Sequence, residues 1–146
     1  MSAARLLYSV EQVRAFDRHA IDVLHVPGYT LMKRAGEAAL RALRSRWPRA
    51  THIAVVCGGG NNGGDGYVLA RFGQAAGLQV IVLAAVPIGQ LRGDARQAAD
   101  DFLSSEGRVE PFSAAGLLQG EVIVDALLGT GVREPLRAEA QLAIHA

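Results

Sequence analysis

The residues best equipped for chemistry lie in one short stretch, Cys57-Gly58-Gly59-Gly60-Asn61-Asn62-Gly63-Gly64-Asp65-Gly66, where six glycines alternate with two amides and a carboxylate. Glycine packs nothing and costs entropy on folding, so such a segment is expensive as a mere connection. It lets backbone come close to a ligand, while Asn61, Asn62 and Asp65 supply hard oxygen donors. If it opens into the amino end of a helix, as the apolar residues on either side predict, it suits phosphates, ribose hydroxyls or a small cation. The competing structural reading is a tight strand-to-helix connection capped by Asp65.

Two familiar phosphate cradles fit poorly. Gly58, Gly60 and Gly63 satisfy G-x-G-x-x-G, but a dinucleotide fingerprint also needs an acid near the end of the next strand, and that strand ends Leu83-Ala84-Ala85-Val86-Pro87. A nicotinamide dinucleotide held in the standard way is therefore disfavoured. A Walker loop needs a lysine, and the chain's single lysine, Lys33, lies far upstream.

Several elements must position this stretch. Ser9-Val10-Glu11-Gln12 has the form of a capping box, and Val10, Val13, Ala20 and Leu24 follow at helical spacing, predicting a helix over Ser9 to Leu24. After Pro27-Gly28, Leu31, Ala35, Ala38, Ala39 and Leu43 mark one face of a second helix that stops before Pro48. Arg34, Arg41, Arg44, Arg46 and Arg49 read as its wet face. Ile53 to Cys57 is a continuous apolar run, the pattern of a strand buried on both faces. The glycine stretch follows, then a helix from Tyr67 to Gly77 and a strand from Gln79 to Leu83. A helix over Asp94 to Ser105, a weak strand at Arg108 to Pro111, a firm strand at Glu121 to Ala126 and a helix over Leu136 to His145 complete the order. This alternation predicts a Rossmann-like three-layer α/β/α sandwich with a mainly parallel sheet covered on both faces, its ligands beyond the carboxyl ends of the strands. The glycine stretch and Asp125 both fall at such ends.

At 146 residues, half of them apolar, the chain fits one domain. The pattern breaks off without a final strand, so we expect a domain over residues 1–146 that lacks a carboxyl-terminal part. Fifteen basic against 14 acidic residues leave no overall field for a polyanion, and nucleic acid is not expected as a partner. The lone Cys57 cannot form an internal disulfide and reads as an inert buried thiol, which together with the absence of a leader suggests the cytoplasm. The longest apolar run, near Val80 to Ile88, falls short of the ~18 residues of a membrane span. His19, His25, His52 and His145 show neither metal spacing nor a nucleophile motif.

With the glycine stretch and the later Val124-Asp125-Ala126-Leu127-Leu128-Gly129-Thr130-Gly131 together, the sequence closely resembles the YjeF amino-terminal family of NAD(P)H-hydrate epimerases. The resemblance also takes in Gly63-Gly64-Asp65-Gly66-Tyr67-Val68-Leu69-Ala70-Arg71 and the helix pair ahead of the first strand. It implies epimerisation at C6 of the hydrated nicotinamide ring, interconverting the R and S forms of NADHX and NADPHX, with an ADP- or ATP-dependent dehydratase as fused or separate partner. By position it implies that Asn61, Asn62, Gly63, Gly64 and Asp65 bind substrate. It implies further that Asn62 and Asp125 bind potassium and that Gly129, Thr130, Gly131, Val132, Arg133, Glu134 and Pro135 hold the substrate's phosphates. Thr130, Val132 and Glu134 depart from what is common in relatives. Family members continue into an Asp-Ile-Pro-Ser-Gly segment carrying the proposed catalytic aspartate and another potassium ligand. That segment would lie beyond Ala146, so no catalytic residue is assigned here, and a chain ending at Ala146 is expected to be impaired. A homodimer is also implied, though no interface is legible in the sequence.

The chemistry suits these residue types. A hydroxyl on a carbon bonded to ring nitrogen can leave to give a conjugated iminium, to which water returns from either face. That needs a carboxyl group to exchange a proton and fixed dipoles to stabilise charge. Potassium prefers amide, carbonyl and carboxylate oxygen. The bland alternatives are Asp125 as a turn cap, Asp65 as a helix cap and Arg133 as a solvated arginine. Two other functions stand beside the epimerase: a non-catalytic scaffold and a module that binds ADP-containing nucleotides.

Overall fold

A computed structural model of the chain describes residues 7–131 and 138–145. Helix α1 (Val10–Asp22) opens with the expected capping box: Gln12 N–H donates to Ser9 Oγ at 3.3 Å and Ser9 N–H to Gln12 Oε1 at 2.8 Å. Its apolar spacing forms a helix but buries none of its residues. Val13, Phe16 and Leu24 stay substantially exposed, and Tyr8 meets Phe16 edge to face at 5.1 Å.

Helix α2 (Gly28–Arg46) starts behind Pro27 and ends before Pro48, but its buried face is turned from the expected one. Met32, Gly36, Leu40 and Leu43 are buried, whereas Ala35, Ala38 and Ala39 face solvent. Gly36 explains the rotation. A Cβ there would lie 2.6 Å from Val68 Cγ1, so the glycine lets α2 press against the next helix of the layer. The five arginines expected on the wet face are all exposed.

Strands β1 (His52–Cys57), β2 (Gln79–Ala84), β3 (Arg108–Pro111) and β4 (Val122–Ala126) form one parallel sheet in the order β3-β2-β1-β4. Helix α3 (Asn61–Ala75) joins β1 to β2, and α4 (Gly93–Ser104) joins β2 to β3. Both pack with α2 on one face, around Val55, Tyr67, Val82 and Phe102. The chain then steps back across β1, and right-handed crossover sends the short α5 (Ala114–Leu117) to the opposite face. There Ala54, Val56, Ile81 and Leu83 pack with Leu117 of α5 and Ala143 of α6 (Ala138–Ile144). A 3-10 turn at Ile88–Gln90 and α5 are additions to the expected order.

Two expectations need correction. The strand Glu121 to Ala126 is not buried throughout: β4 alternates, with Ile123 52% exposed and Asp125 exposed, because it is the edge strand and the described helices cover its second face only thinly. The glycine stretch is not a loop up to Gly66. Only Gly58 to Gly60 lie outside regular structure, and α3 begins at Asn61. Gly64 and Gly66 are glycines for close packing in a helix, not for loop conformation. A Cβ on Gly64 would lie 2.5 Å from Met32 Cε, and one on Gly66 2.7 Å from Ala126 Cβ and 2.8 Å from Cys57 Sγ. Cys57 is buried as expected, and burial pushes its thiol well above the ordinary range, so it stays protonated and inert.

The packing of α3 on the sheet yields a stability prediction. Gly66→Ala gains about 1 kcal/mol of helix propensity but overpacks against two side chains that cannot swing away, which costs about 1–3 kcal/mol. Urea unfolding of the variant should show a net loss of up to about 2 kcal/mol, and a gain in stability would show that α3 sits further from β1 than described.

Candidate functional site at the switch point

The sheet order reverses at β1: β2 and β3 are added on one side and β4 on the other. In an open α/β sheet this reversal leaves a crevice beyond the carboxyl ends of the two strands, since the helices that follow them depart to opposite faces. Both chemical stretches border that crevice. Val56 is in register with Asp125 and Cys57 with Ala126. Past the strand ends the backbones stay together, for Gly58 N–H donates to Ala126 O at 3.0 Å. A Cβ on Gly58 would collide with the Leu127 carbonyl. One turn further out, a Cβ on Gly129 would lie 3.0 Å from Asn62 Cβ and 3.6 Å from Asn62 Oδ1. The two turns meet, and the space between them is not filled with packed hydrocarbon at their tips: Asn61 and Leu128 to Gly131 are exposed.

The first turn of α3 faces this crevice with unspent donors. The first N–H groups of any helix lack intrahelical acceptors, and the N-cap Gly60 carries no side chain to accept from them. Gly60 is also sterically unforced, as a Cβ there meets nothing within 4 Å, and the same holds for Gly131. The neighbouring glycines are explained by packing; these two leave room for something else.

The remaining site residues divide. Gly63 and Gly64 are buried against protein, with Gly63 pressed on the Gly58 carbonyl, so their contribution to a site is through backbone. Asp125 does cap its own turn, its Oδ1 accepting from Leu127 N–H at 2.9 Å, in the manner of an Asx turn. Asp65 does not cap a helix, because it is the fifth residue of α3. Half-buried, its carboxyl is pushed up to about 6 by burial and, secondarily, by the Asp17 carboxylate of α1. Val132, Arg133, Glu134 and Pro135 lie outside the described residues. Sequence reasoning missed two α1 residues at the crevice: Asp17, and Arg14, whose Nη2 donates to the Thr130 carbonyl. No spacing could have revealed them, since their neighbours are far along the chain.

Oxygen donors dominate the rim, with no group of three or more His, Cys, Asp or Glu side chains placed to hold a metal among the described residues. Two shallow clefts of about 270 and 340 Å3 lie elsewhere, one around the amino ends of β1 and β2 and one around Trp47 and Glu121; neither includes a residue of the two turns.

The fold and crevice together define an α/β protein of the Rossmann-like class, with a candidate site at a topological switch point formed by a glycine-rich helix start and a second, neighbouring turn. The chain belongs to the YjeF-related protein N-terminus family, which matches over residues 28–146. It is 48% identical over 133 residues to the bifunctional NAD(P)H-hydrate repair enzyme Nnr of Coxiella burnetii, covering 91% of this chain and 27% of that protein. The enzyme of the same name from Escherichia coli is 41% identical over 147 residues, covering 100% and 28%. The NAD(P)H-hydrate epimerase of Rhodopirellula baltica is 36% identical over 133 residues, covering 87% and 53%. The chain thus spans about a quarter to a half of the length of these relatives. The crystal structure of yeast ynu0 superposes with a TM-score of 0.81 at 21% identity, covering 97% of this chain and 64% of that one, and shares the fold.

The raised Asp65 carboxyl makes stability pH-dependent with a definite sign. A folded-state value near 6 against an ordinary 3.8 means that the fold disfavours the carboxylate, so the penalty is complete above about pH 6 and absent below about pH 4. Asp65→Asn should raise the urea midpoint at pH 7.5, with the gain shrinking towards pH 4. A gain of equal size at both values would show that burial of charge is not its cause.

Proposed function

We propose that this domain serves the epimerisation of hydrated NADH and NADPH, interconverting their R and S forms in the repair of damaged nicotinamide nucleotides. The observation that carries this reading is the meeting of the two turns, Gly129 against Asn62, at the strand ends where the backbone is barest. The printed names of the similar proteins, NAD(P)H-hydrate epimerase and bifunctional NAD(P)H-hydrate repair enzyme, support it.

In this reading the free N–H groups of Asn61, Asn62 and Gly63 receive substrate phosphate oxygens at the positive end of α3. Gly60 and Gly131 leave clearance for its approach. Gly129 and Thr130 form the described part of the second wall; Val132, Arg133, Glu134 and Pro135, to which the resemblance assigns the substrate's phosphates, lie outside the described residues. As the C6–O bond breaks, its electron pair leaves with the oxygen and the ring nitrogen's lone pair completes the iminium. A carboxyl proton turns the departing hydroxide into water; water adding to either face returns a proton to that carboxylate. Asp65, with its carboxyl raised to about 6, exchanges its proton closer to neutrality than an ordinary aspartate and is the described carboxyl suited to assist this exchange. The aspartate expected from the Asp-Ile-Pro-Ser-Gly segment remains the main candidate for it.

Potassium belongs to the same proposal. Asn62 offers a neutral amide oxygen beside Gly129, and Asp125 retains a second carboxylate oxygen after capping its turn. This all-oxygen pair fits a hard monovalent cation. Asn62 and Asp125 would hold the ion, which would supply a fixed charge that orders the two turns. The partners proposed are the nucleotide substrate, a dehydratase fused or separate, and a second copy in a homodimer. No helix among the described residues is long and apolar enough to cross a membrane, and we assign the domain to the cytoplasm.

A chiral assay of R-form NADHX with the purified protein, with and without potassium, tests this function. We expect epimerisation above the spontaneous background that depends on potassium. Asn62→Ala and Asp125→Ala should each raise the potassium concentration for half-maximal rate by about tenfold or more. In a protein that also carries the Asp-Ile-Pro-Ser-Gly segment, binding of NADH without epimerisation of its hydrate would instead identify a nucleotide-binding module, and neither activity would point to a scaffold. Gly60→Asp provides a second check. A carboxylate at this unforced N-cap should keep or raise stability by up to about 1 kcal/mol while weakening NADH in calorimetric titration, and unchanged affinity would remove the phosphates from the amino end of α3.

A further inference from the structure

Helix α1 has no buried residue, yet it is held across the crevice. Arg14 and Asp17 are three apart, hence on one face, with Ile21 four further along. Each reaches a different part of the domain. Arg14 donates to the Thr130 carbonyl, Asp17 bears on the Asp65 carboxyl, and Ile21 Cδ1 lies 3.9 Å from where a Cβ of Gly28 would stand. The helix therefore meets the second turn through Arg14 and lies beside the start of α2 through Ile21, while the charge of Asp17 reaches Asp65 in α3, all from one face. It also precedes the residues matched by the family, 28–146.

The second turn needs such a support. After Leu127, whose N–H is fixed by Asp125, residues Leu128 to Gly131 are exposed. Among the described residues, Arg14 is the one side chain that hydrogen-bonds their backbone. Among the described residues nothing crowds Gly131, and the approach of Gly129 to Asn62 is what limits the turn. A segment with so few ties samples open conformations at little cost, and a ligand that requires one conformation loses affinity by the fraction of time spent in others.

We infer that Arg14 is a positioning residue for substrate binding: from α1 it ties the Thr130 carbonyl and holds the second turn against Asn62 in the form that receives the nucleotide. Its guanidinium acts through the turn and not on the substrate. The inference rests on the epimerase reading for its ligand, but the tether itself can be tested without it.

Three variants separate the possibilities. Arg14→Ala removes the tether, Arg14→Lys keeps one donor and the charge, and Arg18→Ala removes the same charge from an exposed position one turn along α1. Because α1 buries nothing, all three should unfold with the unsubstituted protein in urea. Arg14→Ala should raise the KM for R-form NADHX about tenfold with kcat within about twofold, as expected when binding is taxed by preorganisation. Arg14→Lys should recover most of the loss, and Arg18→Ala should leave KM unchanged. Amide hydrogen exchange of residues 128–131 without ligand should quicken in Arg14→Ala alone. An unchanged KM in Arg14→Ala, or an equal rise in Arg18→Ala, overturns the inference, the latter by making the effect one of net charge. If the unsubstituted protein neither epimerises NADHX nor binds NADH, the functional reading fails, and exchange alone decides the tether: equal rates in the two alanine variants overturn it.

Discussion

The close approach of two backbones beyond the ends of β1 and β4 is the constraint on which this molecule depends. Gly58 lies so near the Leu127 carbonyl that no side chain fits between them, and its N–H extends the β1–β4 pairing one step past the strands. Hydrogen-bonded parallel strands normally separate into loops at this point; here they stay paired until one enters α3 and the other turns at Asp125. The start of α3 is consequently fixed with respect to the end of β4, up to Leu127, by backbone geometry, which is stiffer than any pair of side chains. Gly63 against the Gly58 carbonyl, and Gly66 against Ala126 and Cys57, carry the same closeness into the helix. The glycines that appear to be a flexible loop are a rigid assembly, and rigidity is what a binding site gains most from, because it leaves less entropy to lose on binding.

That constraint explains what could and could not be read from the sequence. The strands at Ile53–Cys57 and Gln79–Leu83 were legible because both lie inside the sheet and are continuously apolar, the second from Val80 on. The capping box at Ser9 and the break at Pro27-Gly28 were legible because each is a local stereochemical statement. The start of α3 was not. Glycine has poor intrinsic helix propensity, so Gly63, Gly64 and Gly66 argue locally for a loop, and only the tertiary approach of Met32, Cys57 and Ala126 makes them the residues a helix requires there. The buried face of α2 was misread for the same reason. Alanines at 35, 38 and 39 look like a packing stripe, but the contact is centred on Gly36, which a hydrophobicity pattern scores as neutral.

The candidate site shows the same division. The glycine stretch that carries Asn62, and Asp125, could be placed because each follows or ends a predicted strand, while the pairing of Asn62 with Asp125 came from the family resemblance. Their mutual arrangement could not, since it depends on the order of the strands, and the same elements in a different order would have put β4 beyond β3. Asp65 illustrates the limit most clearly: as a residue type it fits a helix cap and a ligand equally well, and only its place in the fifth position of α3 removes the first choice.

Helix α1 supplies the last step. A helix that shows apolar residues to solvent and polar ones to the domain runs against the usual partition, in which burial of apolar area holds a surface helix down. Its attachment by Arg14 is polar, Asp17 repels the Asp65 carboxylate rather than tying it, and polar ties at a surface contribute little to stability. Such a helix adds little to the fold it lies on. What it can alter is the conformational freedom of the one exposed turn it touches, and for a site assembled from two turns that freedom is the difference between a crevice that is present and one that is ready.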